Sequence, residues 1–113
     1  MIVKLYEFLK SKGIDTFFIG QRQGECKSNY VVLKDDGIIG LNNKVGKGYI
    51  DLLFFIPQNQ FTKCESFKKQ VKGLVKEFGK IRYSGQETGI ETDNDKKALT
   101  FSVLYEVQKK LEG

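Results

Sequence analysis

Few side chains in this sequence are equipped for chemistry, and their spacing narrows the choice further. Histidine is absent from the 113 residues. Without imidazole there is no Ser-His-Asp or Cys-His nucleophile, no His-ligated zinc and no side chain that titrates near neutrality unaided. Any reaction would fall to carboxylates, Lys or Tyr. Two cysteines, Cys26 and Cys64, stand far apart without a CxxC spacing. They can build neither a four-thiolate metal site nor a disulfide framework, and they read as free thiols. Cys64 falls on the apolar face of a predicted helix, the place of a small core residue.

Carboxylates Glu87, Glu91, Asp93 and Asp95 crowd into the polar stretch 84–97. Such oxygen ligands can hold a divalent cation, but no DxDxDG run closed by a Glu at the twelfth position is present. Paired acid–base catalysis needs two carboxyls held in a rigid cleft, which a polar loop does not promise. Gly46-Lys47-Gly48 lacks the GxxxxGK[ST] spacing of a phosphate loop and precedes a strand instead of opening a helix. Asp51 is the one charge inside the strongest strand; a buried functional carboxylate is one reading, and an edge or interface position beside a Lys is the expected one. No catalytic, cofactor or metal site is expected, and the chain reads as a protein that is not an enzyme.

Charge is the most uneven feature. The net charge is +5, and from Phe61 to Arg82 seven basic residues face only Glu65 and Glu77, so this one segment carries the whole excess. Lys68, Lys69, Lys72 and Lys76 form its stripe. A basic helix face can neutralise phosphates, so a small nucleic-acid-binding module using helix 61–79 is the alternative reading. Against it, Lys outnumbers Arg 17 to 2, and planar bidentate contacts to bases and phosphates favour Arg. Aromatic residues fall mainly at core-facing positions, not interleaved with the basic ones as on a single-strand platform.

These groups are positioned by a predictable series of elements. Ile2, Leu5, Tyr6 and Leu9 recur at helical spacing before Gly13. Strands are expected around residues 15–19 and 29–34, with Asp36-Gly37 as a hairpin turn. A short strand with an Asn42-Asn43 tip, followed by Lys44, is expected within 37–48. Residues 49–56 give the strongest strand, apolar on both faces and closed by Pro57. Phe61, Cys64, Phe67, Val71, Leu74, Val75 and Phe78 step by three or four and define a long helix ending at Gly79. Ile81 to Tyr83 begins a strand, 84–97 is expected as a loop, and Leu99 to Val107 alternates as the last strand. The order is α-β-β-(β)-β-α-β-β. It predicts an α+β domain with a mostly antiparallel sheet of five to six strands packed against two helices.

A chain of 12.9 kDa with 40% hydrophobic residues fits one domain with one core. No apolar run approaches the roughly 20 residues that span a bilayer. Lys4, Glu7, Lys10 and Lys12 interrupt any signal-peptide core near the start, so a cytoplasmic protein without a membrane partner is expected. The strands at 49–56 and 98–107 carry more large apolar side chains than two helices on one face must cover, which favours self-assembly.

This order of elements resembles that of the small tail-terminator, tail-completion and minor capsid (head-tail joining) proteins of long-tailed bacteriophages and prophages. The likeness runs from the opening helix at 2–12 through Tyr30 to Leu33, the strand Tyr49-Ile50-Asp51-Leu52-Leu53-Phe54-Phe55-Ile56-Pro57 and the helix 61–78. It continues to the final strand Ala98-Leu99-Thr100-Phe101-Ser102-Val103-Leu104-Tyr105-Glu106-Val107, covering nearly the whole chain by pattern, without a diagnostic motif. The resemblance implies a virion structural protein forming a homo-oligomeric ring, commonly a hexamer, between the tail-tube and head-connector proteins. It would assemble in the bacterial host cytoplasm and remain in the tail or neck of the virion. Segments 37–48, with Asn42, Asn43 and Lys44, and 84–97, with Glu87, Glu91, Asp93 and Asp95, are the expected contacts. The stripe Lys68, Lys69, Lys72 and Lys76 is expected to meet the acidic segment of a neighbouring copy.

Overall fold

A computed structural model describes residues 1–40 and 45–110. The helices are α1 (Ile2–Ser11) and α2 (Lys63–Phe78), and the strands are β1 (Thr16–Phe18), β2 (Tyr30–Gly40), β3 (Val45–Pro57), β4 (Arg82–Glu87), β5 (Glu91–Asp93) and β6 (Ala98–Lys110). The sheet order is β1-β2-β3-β6-β4, with β5 also paired to β6. Among the described residues only the β1–β2 pairing is parallel. The α+β class, with a six-stranded, mostly antiparallel sheet and two helices, is as the alternation and helical spacing predict.

Strict alternation explains which face each strand buries. Ile50, Leu52, Phe54 and Ile56 of β3 and Phe101, Val103 and Tyr105 of β6 point to the helices and are buried. Against them α1 presents Leu5 and Leu9, and α2 presents Cys64, Phe67, Val71 and Val75. Phe54 stacks on Phe101 at 4.8 Å and meets Phe67 edge-on at 5.7 Å, which locks α2 over the centre of the sheet. The helix stops at Gly79, whose φ of 73° suits the left-handed cap and whose N–H donates to Val75 O.

Three expectations are corrected. Asp36-Gly37 is not a hairpin turn. It lies inside β2, where the register shifts between Asp35 and Gly37, and the Gly37 N–H donates to Asp35 Oδ1 at 2.8 Å. The same residues that make a tight turn are here absorbed by a bulge, because Gly37 at φ 92° takes up the irregularity and pairing resumes beyond it. The short separate strand within 37–48 is instead the far end of β2 and the near end of β3; Asn42, Asn43 and Lys44 lie outside the described residues. Segment 84–97 is not a loop throughout, since it holds most of β4 and all of β5. These are exposed edge segments with polar side chains on both faces, so they leave no alternation to read.

The second sheet face is also partly covered by the chain itself. Tyr30 stacks on Phe55 at 4.9 Å, Phe17 meets Tyr30 edge-on, and the Arg22 guanidinium lies 4.9 Å from the Tyr30 ring centroid. Cys26 is buried with them and ties the segment down by donating its N–H to Lys96 O at 2.7 Å. That cluster accounts for part of the apolar surplus that the sequence assigns to contacts between copies.

Candidate functional site

The basic stripe is divided by the helix that carries it. Lys68 and Lys72, one turn apart on the flank of α2, reach over the edge of the sheet to Glu87 at the end of β4. Lys68 Nζ lies 3.0 Å from Glu87 Oε1, and Lys72 Nζ lies 2.5 Å from Oε2. Tyr83 completes the cluster: its hydroxyl donates to Glu87 Oε2 at 2.6 Å, and Lys72 Nζ sits 4.2 Å from its ring centroid. A bulge makes this meeting possible. Between Tyr83, opposite Tyr105, and Glu87, opposite Val103, β4 spends four residues where β6 spends two. Ser84 Oγ anchors the excess by donating to Leu104 O at 2.6 Å.

Electrostatics follow the geometry. Hydrogen bonds from Lys72 and Tyr83, reinforced by Lys68, hold the Glu87 carboxyl down at about 2. The same bonds to Glu87 raise Lys68 and Lys72 above the ordinary lysine range. Beneath the cluster, burial pushes the Tyr105 phenol up to about 12. All four groups are thus fixed in their ordinary ionisation states at neutral pH, which suits a structural ion cluster and supplies no poised acid or base.

Along the same flank, from Glu65 in the first turn of α2 to Lys80 beyond its end, runs a cleft of about 1170 Å³ between the helix and the ends of β3, β4 and β6. Lys69, Lys76, Lys80 and Arg82 line it, and among the described residues none of them has an ion-pair partner. Lys47 also lines it, paired to Glu106 at 3.6 Å.

The predicted acidic residues separate. Glu87 joins Lys68 and Lys72 in the same chain. Glu91 and Asp93 lie on β5, against the start of β6, and Asp95 is exposed in the turn that follows. Asp93 Oδ1 accepts the Lys96 N–H at 3.1 Å and so closes that turn. Asp51 is not at an edge: β3 is central, and the residue is half-buried on the second face opposite Lys34. Burial, with the Asp36 carboxylate bonded beside it, pushes its carboxyl up to about 6, while Lys34 opposes the shift. Both thiols are buried and unpaired, and burial raises them.

Tyr83 is not singled out by the sequence, and Arg82 is counted there in the basic segment but not in its stripe. Their position directly after the helix stop at Gly79 was the available signal, because a strand starting there returns beside α2. No protein-family model matches this chain, and a comparison with curated proteins finds no match.

Proposed function

We propose that this chain is a non-enzymatic structural protein that assembles as a homo-oligomeric ring, capping a phage-type tail tube or joining it to the head connector. The observation that carries the reading is the far end of the sheet. β6, at 13 residues, is roughly 44 Å long at ~3.4 Å per residue, whereas α2, at 16 residues, is only about 24 Å. The strands therefore run past the helical layer in a molecule 49 Å long and 25 Å across. Along this arm β1 pairs with β2 only as far as Leu33, so among the described residues the outer edge of 34–40 has no strand beside it. Ile38 and Ile39 stand on that arm 50% and 59% exposed. An open edge bearing β-branched apolar side chains invites pairing with another chain, and a protein that keeps one has a use for it. Pairing between unlike edges of successive copies is the heterologous contact that closes a ring.

The nucleic-acid alternative is less well supported. Two of the four stripe lysines are engaged by Glu87, and Lys72 occupies one face of the Tyr83 ring that would stack a base.

Light scattering across a concentration series tests the proposal. A discrete oligomer is expected, near six times 12.9 kDa if the ring is a hexamer. The paired change Ile38→Lys and Ile39→Lys should return it to monomers with an unchanged circular dichroism spectrum. A wild-type chain that stays monomeric at every concentration overturns the reading.

A further inference from the structure

The cleft beside α2 and the acidic turn after β5 are complementary, yet they cannot meet within one chain. The cleft is lined by the β6 residues Tyr105 to Val107, whereas β5 pairs with Ala98 to Thr100. Between Leu99 and Glu106 the strand rises about 24 Å, and a strand cannot fold back on itself to close that distance. We infer that the cleft of one copy receives the acidic turn of the next, with Glu91 and Asp95 set against Lys76, Lys80 and Arg82. This inference rests on the oligomer proposed above and names one of its contacts.

Several observations favour this occupant. At about 1170 Å³ the cleft is roomy enough to receive a chain segment. Lys69, Lys76, Lys80 and Arg82 crowd this cleft without an ion pair among the described residues, while its own carboxylates, Glu65 and Glu106, are held by Lys68 and Lys47. Such mutual repulsion is relieved by an incoming anion. On the other side, Glu91 and Asp95 are exposed without ion-pair partners among the described residues. The turn that carries them is held in one conformation by the Asp93 bond to the Lys96 N–H. Lys97, at the end of that turn, is turned to Glu25 at 3.2 Å, so its charge is already answered. Two unlike patches at opposite ends of one sheet produce a head-to-tail contact, the class that closes rings. Nucleic acid would also satisfy the cations, but it would leave the acidic turn unanswered.

A charge-swap mixing experiment tests the contact. One variant reverses the cleft (Lys76→Glu with Lys80→Glu) and the other reverses the turn (Glu91→Lys with Asp95→Lys). All four positions are exposed, so both should keep the wild-type circular dichroism spectrum. By light scattering, each variant alone should associate at least about tenfold more weakly than the wild type, and the wild-type oligomer should weaken as salt rises. Mixing the two should restore assembly, because each reversed patch then finds its opposite. If all chains form the same oligomer alone, the contact is overturned and the oligomer stands. If the wild type never associates, the oligomer reading fails and takes the contact with it. If the cleft variant loses binding to a mixed-sequence oligonucleotide while the turn variant assembles normally, the cleft belongs to nucleic acid and the inference is overturned.

Discussion

Two carboxylates show how environment, not residue type, sets what a side chain contributes. Glu87 sits among three donors and its carboxyl is held at about 2, below the ordinary 4.5. A depressed folded pKa adds stability that is complete above the ordinary value and fades as pH falls toward 2. Glu87→Gln should therefore cost about 1 kcal/mol at pH 7, a figure reduced for water's access to the cluster, and the difference from wild type should vanish near pH 2 in thermal melts. Asp51 has the opposite sign. Its carboxyl is raised from 3.8 to about 6, so ionising it opposes folding, and stability is lost as pH rises through that value. Asp51→Asn should raise Tm by roughly 4 °C at pH 7.5 and leave it unchanged near pH 3.5. The sequence made Lys68 and Lys72 legible as one face of a helix by their spacing. It could not show that their partner is Glu87, because a β-bulge about 15 residues away decides where that carboxylate lands, and bulges leave little trace in hydrophobic pattern.

Elements with a buried face were legible, the edge strand β1 and the start of β4 among them, and the exposed edge segments 84–87 and 91–93 were not. The two helices and the long central strands repeat apolar residues at the period of their own geometry, since one face of each must leave water. β4 and β5 are stabilised mainly by backbone pairing to β6, so their side chains carry no period. Two glycines show the same contrast in energetic form. Gly37 holds φ 92° in the β2 bulge, and a Cβ there would meet nothing within 4 Å. Gly37→Ala should thus cost about 1 kcal/mol from backbone strain alone. Gly73 lies inside α2 at an ordinary helical φ, and it too has open space around a Cβ. Gly73→Ala should instead stabilise by about 0.5–1 kcal/mol. Denaturant titrations of both variants give the two signs directly, and equal signs would mean that the bulge does not constrain Gly37.

At the scale of the whole molecule, stability and assembly are assigned to different ends of the same strands. Near the centre, β2 and β3 are sealed by helices on one face and by the Tyr30 and Phe55 cluster on the other. Farther along, the same two strands continue into the arm with Ile38 and Ile39 exposed. Amide hydrogen exchange should follow this division, because exchange reports the free energy of opening each segment. In dilute protein the amides of Val31 to Leu33 and Leu52 to Ile56 should exchange only through global unfolding, while alternate amides of residues 34–39, lacking an outer strand, exchange fast. Raising the concentration until oligomers form should slow those arm amides at least about tenfold and leave the central ones unchanged, since only the arm gains a hydrogen-bonding partner. Arm amides that exchange equally fast in monomer and oligomer would remove the open edge from the interface. The acidic turn and its cleft would then be the contact that holds the copies together.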